Sequence, residues 1–170
     1  PRIYHFLDHV GTKDCRNKMI AFQREVLKRK DELIPMFIED SEKAGYTYSL
    51  GSNDYIFEYV VLEYGFAFWQ WQKTSCDEIP NTDATDEELF NHLKLGSLFS
   101  YFSDSDVTKY NSFFYQAYSE IGYYGYDISE LKDLLTEIEE PTSKIFIPEE
   151  SNPVFSCGLM QSINTWLQKN

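Results

Sequence analysis

Two acidic side chains within aromatic segments are the strongest candidates for a binding site. The first, Glu63, lies in an almost unbroken apolar run from residue 58 to 71 that also contains Trp69. A carboxylate buried there is costly unless a cation or several hydrogen bonds meet it. Two kinds of partner fit equally well: a cationic group of a ligand, or a basic side chain of the same domain, for which the long first helix offers Arg16, Arg24 and Arg29.

The second aromatic segment, residues 113–127, carries Gln116 and Glu120. These two residues are four apart and so share a helical face, directly before a glycine-spaced cluster with Tyr123 and Tyr124. The cluster could line a cleft, although aromatic packing around a helix end explains the pattern equally well. Carboxylates among aromatic rings suit an ammonium group, through charge-assisted hydrogen bonds and cation–π contacts. The same arrangement would also suit a sugar-binding surface.

Known catalytic and cofactor motifs are absent from this sequence. It contains no G-x-S-x-G nucleophile elbow, no P-loop and no dinucleotide fingerprint. His5 and His9 would share a helical face beside Asp8, but no third ligand follows at a defined spacing, so we interpret them as solvated surface side chains. The cysteines match no zinc-site spacing. We therefore predict no catalytic residue, no metal and no cofactor within this chain.

Charge and composition narrow the range of partners. Acidic residues outnumber basic ones by 28 to 15, for a net charge of −13, so nucleic acid and anionic membrane surfaces would be repelled. No apolar run approaches the roughly 20 residues that span a bilayer. Aromatic residues make up 17% of the chain, more than a core alone needs, so some of them should face a ligand or partner.

Hydrophobic periodicity and capping signals predict an all-α or nearly all-α fold. Apolar residues recur at helical spacing in the first long segment, at Cys15, Met19, Phe22 and Val26. Residues 85–88 have the form of a capping box, and residues 129–138 favour a short helix. Pro35 leaves open whether residues 31–35 restart a helix or kink it.

We expect one multi-helix domain over residues 1–170, with short irregular or extended connections between the helices. The first residues show neither an initiator methionine nor a basic targeting region. The sequence therefore reads as an internal segment of a longer protein.

Three segments resemble one family of peptidases: VGTKDCR at residues 10–16, LEYGFAFWQW at 62–71 and EIGYYGYD at 120–127. They are similar to the mid-chain region of secreted bacterial prolyl tripeptidyl and tetrapeptidyl aminopeptidases. Those enzymes are α/β-hydrolases with the triad order Ser, Asp, His and a helical insertion between nucleophile and acid. The resemblance implies that this chain is the insertion, or cap, and that it is inactive by itself. It also implies that residues 152–170 form a helix of the hydrolase core.

The resemblance further implies a secreted or periplasmic parent enzyme that releases short peptides from free N-termini. The cap would contact the α/β-hydrolase core and bind the peptide through Glu63, Trp69, Gln116, Glu120, Tyr123 and Tyr124. In an exported protein the expected disulfide joins Cys15 and Cys76, because Cys157 would lie in the core helix.

Two alternatives make different predictions for the exposed surface. A glycan-binding module would present Trp69, Trp71 and Tyr123 in a flat exposed row, whereas a cap would hold them in a concave wall. A protein-interaction module would show a contiguous exposed apolar patch and no acidic pocket.

Overall fold

The computed structural model describes residues 11–49, 51–70, 75–94, 97–112 and 130–136, with the backbone only at positions 66, 69 and 70. These residues contain no β-strand, so the all-α prediction is confirmed. Short connections join a 3₁₀ turn at Cys76–Glu78 and six helices, α1 (Lys13–Lys28), α2 (Lys30–Ala44), α3 (Asn53–Gln70), α4 (Asp86–Leu93), α5 (Leu98–Tyr101) and α6 (Asp104–Lys109).

Local capping signals fix several helix ends where the sequence indicates them. The Thr12 hydroxyl accepts a hydrogen bond of 3.2 Å from the Cys15 amide and so begins α1. At α4 the Glu88 amide donates to the Thr85 hydroxyl at 3.3 Å, while the Thr85 amide donates to the Glu88 carboxylate at 2.8 Å. Gly45 ends α2 in the left-handed region, with φ of 75°, where a side chain would be strained.

Helical geometry breaks at Arg29, which has φ of −102° and ψ of 22° and forms the corner between α1 and α2, so α2 restarts rather than continuing as a kinked helix. Pro35 consequently lies in the second turn of α2. The Arg29 guanidinium holds the corner in place: it bonds the Glu25 carboxylate at 2.8 Å, the Asp86 carboxylate at 3.0 Å and the Ala84 carbonyl at 2.8 Å. This side chain therefore connects the corner to the start of α4.

Helix α3 lies at the centre of the domain and contacts α1, α2 and α5. Every residue from 56 to 64 is buried, which means that this middle part of α3 is enclosed on all sides. Aromatic rings fill the space around it. Phe37 of α2 packs edge-on against Phe57 of α3 and Phe99 of α5, with ring centroids 5.8 and 4.9 Å apart. None of the described helices combines the length and hydropathy needed to cross a bilayer.

The segment 130–136 forms turns in the structure, so the predicted helix is wrong over these residues. Side chains of other elements bind the backbone groups that a helix would pair internally. Arg24 donates to the Glu130 carbonyl, Lys30 donates to the Leu134 carbonyl, and the Thr136 amide donates to the Glu58 carboxylate. These tertiary hydrogen bonds outweigh the weak helical preference of so short a segment.

A disulfide joins Cys15, at the start of α1, to Cys76 in the 3₁₀ turn, with Cα atoms 5.5 Å apart. The two cysteines are 61 residues apart in sequence, so the bond closes a long loop that contains α1, α2 and α3. Closing such a loop restricts the unfolded chain and thereby favours the folded state.

We predict that replacing both Cys15 and Cys76 with Ser lowers the free energy of unfolding by roughly 2–4 kcal/mol, because the unfolded chain regains loop entropy. Denaturant unfolding followed by circular dichroism measures the loss. Reductant should destabilise the original protein by a similar amount and leave the double variant unchanged. Equal stability of the two proteins without reductant would contradict the prediction.

Candidate functional site

Glu63 lies in the middle of α3, and its side chain is fully buried. Helix α1 packs against α3 two residues further along, at Gly65, at ordinary van der Waals distance. A Cβ atom at Gly65 would lie 3.4 Å from the Met19 side chain and 3.7 Å from the Gln23 side chain. The candidate carboxylate is therefore inside the helical core, in the low-dielectric surroundings where a charge interaction is strongest.

A buried hydrogen bond follows Glu63 directly along α3. The Tyr64 hydroxyl lies 2.8 Å from Nε2 of His92 on α4. Phe22 of α1 packs against both rings, with centroids 4.7 Å from Tyr64 and 5.1 Å from His92. These three side chains join α1, α3 and α4 beside the candidate carboxylate.

Burial shifts the pKa of both hydrogen-bonded partners towards the neutral form. It raises the pKa of Tyr64 far above the usual tyrosine range, so the phenol stays protonated. Burial also lowers the pKa of His92, and the nearby Glu78 carboxylate opposes this shift only in part. At neutral pH the pair is therefore an uncharged imidazole bonded to an uncharged phenol.

His92 also lines an open surface depression of about 710 Å³ at the start of α4. The other lining residues are mostly polar or acidic: Pro80, Asn81, Asp83, Ala84, Glu88 and Asn91. The residue is 7% exposed, so solvent in the depression can still deliver a proton to His92. The imidazole therefore connects the buried Tyr64 hydroxyl with the surface depression.

Glu58, one and a half turns before Glu63, is a second fully buried carboxylate on α3. Lys30 donates to it at 2.7 Å, the Thr136 amide at 3.0 Å and the Thr136 hydroxyl at 2.6 Å. A cation and two further donors offset the cost of burying this charge. Sequence reasoning missed the role of Glu58, although its place in the same apolar run as Glu63 was the available signal.

Two of the three arginines proposed as internal partners bind other carboxylates. Arg24 donates to both carboxylate oxygens of Asp133, at 2.9 and 2.8 Å. Arg29 is engaged with Glu25 and Asp86. The guanidinium of Arg16 donates to the Gly11 carbonyl at 3.1 Å. These contacts favour the interpretation of Arg24 and Arg29 as structural residues that hold the bundle together.

Of the six predicted substrate-binding residues, the structure shows the side chain of one, Glu63. Trp69 lies in the last turn of α3, where only its backbone is described. The other four lie outside the described residues, as do both amino-terminal histidines and the third cysteine: Gln116, Glu120, Tyr123, Tyr124, His5, His9 and Cys157.

The exposed surface bears on the alternative functions. In the described part of the chain, Tyr110 is the one large apolar side chain that is exposed, at 43%. This part of the surface therefore lacks the contiguous apolar patch expected of a protein-interaction module. The row of aromatic rings expected of a glycan-binding module involves side chains that are not described.

Comparison with known proteins places the chain among peptidases. The family model for the PS-10 peptidase S37 family matches residues 2–170, and the chain belongs to that family. This assignment confirms the resemblance seen in the sequence.

One curated relative is the prolyl tri/tetrapeptidyl aminopeptidase of Streptomyces mobaraensis. The two sequences are 29% identical over 169 residues, which is 97% of this chain and 35% of that protein. The chain thus spans about a third of the length of this relative. No solved structure matches the chain.

We predict that Lys30→Met costs about 3 kcal/mol of the free energy of unfolding, because it leaves the Glu58 charge buried without its cation. Denaturant unfolding measures the change. Lys43→Met is the matched control, since the Lys43–Glu39 pair is 70% and 68% exposed and its loss should leave the unfolding midpoint unchanged. Equal effects of the two substitutions would contradict a special role for the buried pair.

We also predict that the protein loses stability as the pH falls below about 6.5, the ordinary pKa of histidine. The folded state disfavours protonation of His92, so the unfolded chain binds more protons in this range and becomes favoured. This one group contributes a slope of at most about 1.4 kcal/mol per pH unit. His92→Gln should remove that contribution while keeping a hydrogen bond to Tyr64. An unchanged slope between pH 5 and 7 in the variant would contradict the assignment.

Proposed function

We propose that this chain is the helical cap of a serine exopeptidase that releases short peptides from free N-termini, and that Glu63 binds the ammonium group of the peptide. The observation that carries the proposal is the full burial of this carboxylate in the central helix of a peptidase-family domain. A buried carboxylate is strongly selective for a cation, because a neutral group does not offset its desolvation.

An enzyme that removes short peptides from an N-terminus needs a fixed point from which the substrate is measured. A carboxylate in a rigid helix provides such a point, because the ammonium group can bind at one place only. The name of the Streptomyces relative, an aminopeptidase, supports this kind of substrate. Glu120 is a second candidate for the same task, from its place among aromatic residues in the sequence.

In this proposal the remainder of the enzyme, and not this chain, cleaves the peptide bond. The chain spans 35% of its relative, which leaves ample length for an α/β-hydrolase core carrying the Ser, Asp and His of the triad. A helical cap over such a site excludes water and limits the length of peptide that can enter. Cleavage after proline is the specificity that the relative's name suggests.

We propose that the enzyme is exported. Disulfides persist in oxidising compartments and are rare in the cytosol of most organisms, and the bond between Cys15 and Cys76 therefore supports secretion or a periplasmic location.

We predict that Glu63→Gln in the full-length enzyme lowers kcat/KM for peptides with a free amino terminus by roughly 30- to 1000-fold, equivalent to about 2–4 kcal/mol. N-acetylated peptides, which lack the charge, should be cleaved at an unchanged rate. Steady-state kinetics with matched free and acetylated substrates measures the ratio, and Glu120→Gln is tested in the same way.

Glu39→Gln is the control for this experiment, because it makes the same chemical change at an exposed position of α2. It should leave both substrates unaffected. If neither Glu63→Gln nor Glu120→Gln changes the preference for a free amine while folding is impaired, the two carboxylates are structural.

A further inference from the structure

Hydrophobic burial by itself does not specify the rotation of α3 about its own axis. An ordinary surface helix hides one apolar stripe, and hiding that stripe sets its rotation. In α3 every residue from 56 to 64 is buried, so apolar side chains project in all directions around the axis. Directional polar contacts therefore add to side-chain packing in specifying the direction in which the side chains of α3 point.

Two buried hydrogen bonds on α3 flank Glu63 on either side. Before it, the side-chain amide of Gln23 on α1 donates to the main-chain carbonyl of Val61 at 2.7 Å. After it, the Tyr64 hydroxyl is bonded to His92 on α4 at 2.8 Å. Hydrogen bonds depend steeply on angle, and a buried polar group that loses its partner is costly. Rotating or sliding α3 would break both bonds.

A small rotation would be enough to misplace the carboxylate. Side-chain ends lie about 5–6 Å from a helix axis, so a turn of about 20° moves such a group by about 2 Å. Even about 1 Å of misplacement at a reacting centre can cost a factor of about 100 in rate. Binding of an ammonium group by Glu63 therefore depends on how firmly α3 is held at this point.

We propose that Gln23 and the Tyr64–His92 pair are positioning residues that aim Glu63 at the substrate ammonium, and that they determine how strictly the enzyme requires a free amino terminus. This inference rests on the proposed role of Glu63. Neither pair takes part in the bond-breaking step, because each acts through the direction of α3. A loss of these contacts should weaken the discrimination between free and acetylated peptides more than it weakens overall peptide cleavage.

The test uses substitutions that remove one hydrogen-bonding group and keep the volume of the side chain. In the full-length enzyme, Tyr64→Phe and Gln23→Met should each lower the ratio of kcat/KM for free over N-acetylated peptides by about tenfold. His92→Gln should keep a ratio close to the original, because its amide can still bond the Tyr64 hydroxyl.

Tyr48→Phe is the matched control. Its hydroxyl is also hydrogen-bonded, to Ser41 at 2.9 Å and to the Phe99 carbonyl at 3.1 Å, but these partners lie on α2 and α5. The substitution should lower stability as Tyr64→Phe does and leave the substrate ratio unchanged. A ratio that falls equally in Tyr48→Phe and Tyr64→Phe would show that general loosening of the fold is responsible, and would overturn the proposal.

The double variant Glu63→Gln/Tyr64→Phe separates the two claims. If Tyr64 acts by aiming Glu63, Tyr64→Phe has no further effect on the ratio once Glu63 is replaced. A further tenfold loss in the double variant would overturn the positioning role through Glu63.

If Glu63→Gln lowers the ratio while Tyr64→Phe and Gln23→Met do not, the proposed function stands and the positioning role fails. If Glu63→Gln has no effect, the proposed role of Glu63 fails, and the positioning inference fails with it.

Discussion

The structure depends on the enclosure of one helix that is apolar around its whole circumference. Helix α3 cannot lie at a surface, because any exposed side would present large apolar side chains to water. Helices α1, α2 and α5 contact it, and α4 adds the His92 bond to Tyr64. The corner at Arg29 and the disulfide at the start of α1 connect the elements that pack around this one helix.

Because this part of α3 is enclosed, each polar group on it lowers the stability of the fold unless a partner offsets its desolvation. Glu58 is buried with a cation and two further donors, which turns its cost into a link between α2, α3 and the turn at residues 130–136. The carbonyl of Val61 and the hydroxyl of Tyr64 are each matched by a side chain of another helix. The same low-dielectric surroundings that demand these matches would make Glu63 a strong and selective ligand for an ammonium group. The stability of the core and the proposed recognition of an ammonium group therefore both depend on the burial of polar groups along α3.

Carboxylates also shape the connections in this acidic chain. The Asp104 side chain accepts hydrogen bonds from the Ser49 amide at 2.7 Å and from the Thr47 hydroxyl at 2.7 Å, which holds the irregular segment after α2 against α6. Asp133 likewise binds an arginine of α1, and Asp86 binds the arginine at the corner that follows α1. Part of the large negative charge is thus structural, because carboxylates accept hydrogen bonds from backbone and side-chain groups that helices leave open.

The sequence by itself determined the features that arise from neighbouring residues. Helical periodicity and caps such as Thr12, Gly45 and the Thr85–Glu88 box depend on groups three or four residues apart, and the all-α class follows from them. Family membership was also readable, because its motifs are contiguous. Only the tertiary structure decided which distant groups meet. The bond between Tyr64 and His92 spans 28 positions and that between Glu58 and Thr136 spans 78, and no local rule specifies either. The turn at residues 130–136 shows the same limit, since its backbone groups bond to side chains of α1, α2 and α3 that lie far away in sequence.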